Sequence, residues 1–287
     1  MAELDRMTYD EVEAYLASGE GIVVLPVGAT EEHGPHGALG TDTFAAAIVA
    51  RKVAEKLDGV VAPALPYGMS EDQSDFRGTV SLRPSTLALV TKEICENLVR
   101  DGYRVVLVIS GNRPNDASCM VGALEARGES DAHVLYLSYQ DANKGRLVEV
   151  LGGAHAAHVT ETDQRYGADG HGGSMELSLA MAYAPGSVRL DKRTVPDRTK
   201  ADAIRSFPFK SVMFVEEYMA PEGFMGDPSI CSAELGEQIA ERTAEFIAAE
   251  VRRYLELFGA RERRVPPPVG KVAGGDGTRP RRERRRP

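Results

Sequence analysis

The sequence predicts an α/β fold in which a mainly parallel central sheet is covered by helices on both faces. Two observations carry this. Strand-like and helix-like segments alternate along most of the chain, which is the pattern of βαβ units. The strand-like segments are also unbroken apolar runs, as a strand reads when both of its faces are buried.

Thr8-Tyr9-Asp10-Glu11 opens a short helix, with Thr8 placed to cap it and Glu11 three residues on to complete a capping box. The run from Ile22 to Val27, bounded by Gly21 and Gly28, is the first buried strand. Residues 43–57 are alanine-rich, with Phe44, Ala47, Ile48, Arg51, Ala54 and Glu55 at helical spacing. Val60 to Leu65 is a second strand, followed by a glycine- and acid-rich loop from Gly68 to Ser81 and a helix from Ser85 to about Arg100. Tyr103 to Ser110 is the strongest strand in the chain. After the loop Gly111–Pro114 come a helix from Asn115 to Arg127 and a fourth strand from His133 to Leu137. Two more helices are expected, from Gly173 to about Ala184 and, strongly amphipathic, from Ala233 to Phe258. Val265-Pro266-Pro267-Pro268 ends regular structure, and the Gly/Pro/Arg remainder lacks the apolar surface to fold. Residues 1–260 are thus expected as a single domain and 261–287 as a disordered basic tail.

The 287 residues carry a formal charge of −9. Residues 261–287 hold ten basic residues against three acidic ones, a local +7 that leaves −16 on the first 260. So acidic a body repels phosphate backbones, and nucleic acid is excluded as its partner. Cys95, Cys119 and Cys231 are odd in number and widely spaced, which suggests neither a disulfide framework nor a thiolate zinc site and fits a reducing cytoplasm. The acidic N-terminal stretch has no apolar signal core, and no run approaches 18 apolar residues, so no membrane association is expected.

The chemistry concentrates after the first strand, in the loop from Gly28 to Asp42. Glu31, Glu32, His33 and His36 lie in it, and Asp42 stands where the next helix begins. Open α/β sheets place ligands at the carboxyl ends of their strands. Glu, His and Asp together form the oxygen and nitrogen donor set of Zn²⁺ or Mn²⁺, and a carboxylate such as Asp42 is able to bridge two ions. Further on, His171 sits in a glycine-rich loop with Glu176 about one helical turn beyond it, placed to orient the His171 ring or to hold a water. His155 and His158, near Glu161 and Asp163, are weaker candidates on a loop. His133 heads an apolar strand and is read as structural.

The segment Pro26 to His36 with Gly40-Thr41-Asp42 resembles the first motif of the creatininase, or creatinine amidohydrolase-like, family of metal-dependent amidohydrolases. The resemblance continues at Phe76-Arg77-Gly78-Thr79, at Ser110-Gly111, at His171 to Glu176 and at Gly226-Asp227-Pro228, and spans about residues 5–258. It implies a three-layer α/β/α domain, a homo-oligomer that is often a hexamer, and hydrolysis of small cyclic amides or formamides with one or two divalent ions, Zn or Mn. Carried over by position, it makes Glu31 a ligand of one ion, His33 a ligand of the other and Asp42 the bridge. His171 becomes the general base or proton shuttle, with Glu176 assisting it or touching the metal.

The departures from the family pattern surround the same pocket. Where the family has a metal-binding His after the third strand, this chain has Asn112, whose neutral amide oxygen is the weaker donor and favours harder cations. Positions that hold a Glu in some members are Pro114 and Ser174 here, and Asp72-Gln73 stands near the family's Glu-His pair. These changes, with the gain of Arg113, assign Arg113, Gln73, Asp72 and Ser174 to the substrate. Arg113 either clamps a carboxylate or phosphate or pairs with an acid of this acidic body. The function expected is hydrolysis of a C–N bond in a small polar molecule. One alternative keeps the fold with C–C or C–O hydrolysis, ring opening or condensation. The other is a metal-free binding or scaffold protein, against which the mutual repulsion of an uncompensated Glu/Asp cluster argues.

Overall fold

Every residue of Ile22–Val27 (β2) and of Val105–Ser110 (β4) is buried, as unbroken apolar strands require when layers cover both faces of a sheet. The computed structural model describes residues 2–19, 21–128, 131–143, 170–194 and 222–258. The expected tail and the cluster His155, His158, Glu161 and Asp163 lie outside them. Within the described residues, Ala2–Glu3 (β1), β2, Val60–Val61 (β3), β4 and His133–Ser138 (β5) form one sheet, parallel throughout, in the order β1-β3-β2-β4-β5.

The α-helices among the described residues are Tyr9–Ser18 (α1), Thr41–Lys56 (α2), Pro84–Asp101 (α3), Asp116–Arg127 (α4), Tyr139–Ala142 (α5), Ser174–Tyr183 (α6) and Ala233–Phe258 (α7). Successive strand residues point to opposite faces, and this alternation divides the core in two. Ile22, Val24, Val105, Leu107 and Ile109 pack against α2, α6 and α7. Val23, Leu25, Val27, Val106 and Val108 pack against α3 and α4, with Val12, Tyr15 and Leu16 of α1 at the margin. The expected three-layer α/β/α arrangement is therefore the one observed.

Alanine is the best helix former and the smallest that carries a side chain. Ala45, Ala46, Ala47, Ala50 and Ala54 are among the ten buried residues of the sixteen in α2, and they let that helix lie close between the sheet and the outer pair α6 and α7. Thr8 and Glu11 close the capping box as expected. Two details differ from the sequence reading. The strand expected over Val60 to Leu65 is regular only at Val60–Val61, because Pro63 has no N–H to give to a ladder; Leu65 rejoins β2 through an isolated bridge to Val27. The two-residue edge strand β1 is too short to leave a hydropathy pattern.

Register decides where a site can form. Val27 stands opposite Ser110, and Ser110 opposite Ser138, so the loops after β2, β4 and β5 leave the sheet at one level. From β2 the chain crosses by α2 to β3 on one side, then by α3 to β4 on the other, so the winding reverses at β2 and opens a crevice at its carboxyl end. The first turn of α2 is pressed into that end. A Cβ added at Gly28 would lie 2.3 Å from the Thr43 Cα, and one at Gly111 only 2.1 Å from the Asp42 carbonyl oxygen, so neither position accepts a side chain. Among the described residues no helix is long and apolar enough to cross a membrane.

Candidate active site

The loop after β2 is folded back on itself and tied down by backbone. Glu31 N–H donates to the Leu39 carbonyl at 2.9 Å, and Val80 N–H donates to the Thr30 carbonyl at 2.9 Å. Thr79 Oγ1, from the Phe76–Thr79 motif, accepts from Glu32 N–H at 3.1 Å. These ties bury Glu31, Glu32, His33 and His36 together. Asp42 and Glu176 come from the first turns of α2 and α6, where the partial positive charge of a helix N-terminus favours a carboxylate. The loop carrying His171 is fixed by its carbonyl, which accepts from both Met225 and Gly226 N–H at 2.9 and 2.8 Å. The Gly226-Asp227-Pro228 segment thus positions a site residue.

His33 is fully buried at the centre. Its Nδ1 lies 3.0 Å from the Glu31 backbone carbonyl, which only accepts, so Nδ1 carries the proton of that bond and Nε2 faces the cluster. Nε2 is 3.3 Å from Asp42 Oδ1 and 3.7 Å from Glu176 Oε2, yet neither contact has hydrogen-bond alignment, and Nε2 and Asp42 Oδ2 are buried without a hydrogen-bond partner. Burial works against a charged His33, but Asp42, Glu176 and Glu31 outweigh it and raise its pKa well above the ordinary value. The cluster calls for positive charge at this point.

His171 stands beside it, with ring centroids 4.4 Å apart. Its Nε2 meets Glu32 Oε1 at 3.2 Å, and its Nδ1 is 3.6 Å from Glu31 Oε1. Burial and the nearby His33 disfavour the cation, whereas the Glu32 hydrogen bond and the charges of Glu32 and Glu31 favour it and prevail, raising the pKa to about 9. Glu31 accepts hydrogen bonds from Ser70 Oγ, Gln73 Nε2 and, at 2.9 Å, Asn112 Nδ2. Burial first, and then the Asp42 charge, raise its carboxyl to about 8. Among the described residues, two sets of ligand atoms lie within 4.8 Å of one another, Glu31 with His33 and His171, and His33 with Asp42 and Glu176.

A family model described as creatininase, creatinine amidohydrolase, matches residues 5–251. The chain belongs to the creatininase family. It is 32% identical to a creatinine amidohydrolase of Pseudomonas putida over 258 residues, 86% of this chain and 94% of that protein. It is 31% identical to a mycofactocin precursor peptide peptidase of Mycolicibacterium smegmatis, over 81% of this chain and 85% of that one. Two creatininase structures, one described as the Mn form and one as a mutant of Zn–Zn type, superpose with TM-scores of 0.72 and 0.74 at 28% identity, over 88% of this chain and 98% and 97% of theirs.

Against this creatininase background the expected site residues fall into two groups. Glu31, His33, Asp42, His171 and Glu176 converge on one buried point. Asn112 is buried beside it but turns its amide nitrogen to Glu31 and to the Met69 carbonyl, at 2.9 and 2.7 Å, rather than the oxygen expected of a ligand. Gln73 spends its amide on Glu31, and Ser174 Oγ donates to the Asp227 carbonyl. Asp72 is half-buried and feels the charges of His171 and Glu32; burial raises its carboxyl above the usual range. Arg113 lies 3.6 Å from Asp141, an acid of the same body.

Four contributors were not assigned roles from the sequence. Glu32 holds His171, Ser70 holds Glu31, and Gln140, the second residue of α5, donates to Glu176 Oε1 at 2.8 Å. His36 Nε2–H donates to the Gly172 carbonyl at 3.2 Å, joining the two histidine loops; burial lowers its pKa, so it does this as the neutral ring. Only Glu32 and His36 left a signal, their place in the first motif.

Proposed function

We propose that the protein is a metal-dependent hydrolase of an amide-type C–N bond in a small polar substrate, a cyclic amide or a formamide. One observation carries the reading: His33 Nε2 and Asp42 Oδ2, both buried, lack any hydrogen-bond partner among carboxylates that need a cation. An unpaired buried charge costs several kcal/mol, and a divalent ion answers both atoms at once. The names of the two relatives support the bond type, since an amidohydrolase and a peptidase both break amide C–N bonds. The Mn and Zn–Zn descriptions of the neighbouring structures support the choice of metals.

A bound Zn²⁺ or Mn²⁺ supplies Lewis acidity towards a carbonyl and lowers the pKa of water to about 7. The chain supplies the rest. His33, Asp42 and the carboxylates around them form the donor pocket, with Glu176 aimed by Gln140 and by Gly172 N–H at 2.8 and 2.9 Å. His171 keeps its proton at neutral pH because Glu32 and Glu31 stabilise the cation, and it is placed to pass that proton to the departing nitrogen. Asp72 beside His171 and Arg113 at the margin meet the substrate, while Gln73, Asn112 and Ser174 act through the groups they hold. The apolar side chains Leu89, Met120, Val121 and Leu124, exposed on α3 and α4, support a homo-oligomer, and the burial of all three cysteines supports a reducing, cytoplasmic setting.

His33→Ala and Asp42→Ala are each expected to abolish turnover of cyclic amides and formamides while leaving the circular dichroism spectrum intact. Chelation should remove activity that Zn²⁺ or Mn²⁺ restores. Turnover retained in either variant removes the metal-centred mechanism, and activity confined to cyclic ketones or lactones moves the reaction to C–C or C–O bonds.

A further inference from the structure

We infer that His36 is a positioning residue for the reaction, which sets the place of His171 over the pocket through the Gly172 carbonyl and the ring of Phe224. The inference rests on the proton-donor role proposed for His171 and adds what holds that residue in place.

His171 hangs on a backbone with little shape of its own. It stands in the run Gly170-His171-Gly172-Gly173, where Gly170 and Gly172 both adopt positive φ, +95° and +67°. Glycine has the widest choice of backbone conformations, so the position of His171 has to be imposed from outside the loop. A proton donor works only within hydrogen-bond reach of its acceptor, and a displacement of about 1 Å is enough to cost about a hundredfold in rate.

The imposing contacts converge on His36. Its Nε2 lies 3.2 Å from the Gly172 carbonyl, which only accepts, so Nε2 carries the proton and holds the residue next to His171. The ring also meets that of Phe224 edge to face, with centroids 4.5 Å apart and planes at 89°. Phe224 is itself buried and is followed by Met225 and Gly226, whose N–H groups both donate to the His171 carbonyl. One imidazole thus grips the loop directly and, through Phe224, backs the strap that grips it at the next peptide. The packing leaves no slack. A Cβ added at Gly34 would stand 2.7 Å from Phe224 Cδ1 and 3.0 Å from His36 Cε1, and one at Gly172 would stand 2.8 Å from the Phe224 Cβ. His36 is also tied to the segment after α6, since its carbonyl accepts from Arg189 N–H at 2.8 Å.

Packing alone does not account for an imidazole at this point. His36 is 0% exposed, and its Nδ1 is buried without a hydrogen-bond partner. A buried acceptor left without a donor costs stability, and an apolar side chain of similar size would fill the space without that cost. What histidine adds over such a side chain is one N–H aimed at Gly172. A position that gives up stability for one directed contact beside a reacting group serves function before packing.

The test compares His36→Leu, which removes the N–H, with His36→Gln, whose amide nitrogen reaches the place of Nε2. In the full-length protein loaded with Zn²⁺ or Mn²⁺, kcat for an amide substrate is expected to fall about 10–100-fold in His36→Leu. KM should stay within about threefold, because the contact serves the transition state and not binding, and His36→Gln should recover most of the lost kcat. Hydrogen–deuterium exchange read by mass spectrometry follows the loop without any turnover. Amides in residues 170–176 and 222–228 should exchange at least about tenfold faster in His36→Leu and at the unaltered rate in His36→Gln. If His36→Leu does not fold, His36→Asn, whose amide stops one bond short of Gly172, takes its place. Unchanged kcat in His36→Leu, equal losses in both variants, or exchange in these segments that is indifferent to His36→Leu overturns the inference and leaves the hydrolase reading standing. The expected exchange pattern in a protein that turns over no amide overturns that reading and leaves the tie between His36 and the His171 loop standing.

Discussion

The loops that leave β2 and β4 begin side by side, Val27 opposite Ser110, and they use their side chains in opposite ways. The first aims Glu31, Glu32 and His33 at one another and at Asp42, concentrating charge. The second, a short 3₁₀ turn over Arg113–Asn115, sends no charge into the pocket. Asn112 clamps Glu31 to the Met69 backbone, and Asn115 bridges the Met69 N–H and the Gly28 carbonyl at 2.7 and 3.0 Å. Equal access to the crevice does not make two loops equal in chemistry. One supplies the groups proposed to react, and the other holds them in place.

The comparison can be broken where a reacting group depends on its neighbour. Glu32→Gln removes the charge that holds His171, and we expect kcat to fall by up to about 100-fold, the scale seen when a partner that orients a functional imidazole is lost. With that charge gone the pKa of His171 drops from about 9, so the alkaline limb of the kcat–pH profile should move to lower pH. A loss of kcat with an unmoved limb would make Glu32 merely structural. Asn115→Ala tests the holding loop. It leaves one buried and one partly buried backbone group without their partner and should cost about 2 kcal/mol, read as a fall in Tm of about 4–8 °C; an unchanged Tm would remove the clamp. The smallest effect is expected from Arg113→Ala. Its pairing with Asp141 at 3.6 Å joins two partly exposed side chains, a geometry worth at most about 1 kcal/mol, so stability and the KM of neutral substrates should barely change. A tenfold rise in KM confined to anionic substrates would show that Arg113 reaches beyond Asp141.

What the sequence made legible follows the same division. Buried parallel strands write themselves as continuous apolar runs, and β2, β4 and β5 fall within two residues of their expected bounds. Ala233–Phe258 declared itself by its amphipathic period. The reacting groups were legible because they sit in one dense motif and one glycine-rich loop. The holding groups were not, because their partners are remote in sequence: Ser70 and Gln73 reach Glu31 across 39 and 42 residues, and Gln140 reaches Glu176 across 36. An Asn also reads alike whether its oxygen or its nitrogen faces the site, and only the Met69 carbonyl behind Asn112 decides.

The glycines at positions 28 and 111 set a limit on how such a pocket can be altered. Because α2 enters the sheet edge with no side chain between them, Asp42 is indexed to the strand ends like a part seated against a stop. A substitution at either glycine would shift the whole first turn of the helix and every donor distance measured from it. Side chains are freer to change size among the exposed residues of the loop after Gly68, such as Ser74, Asp75 and Arg77.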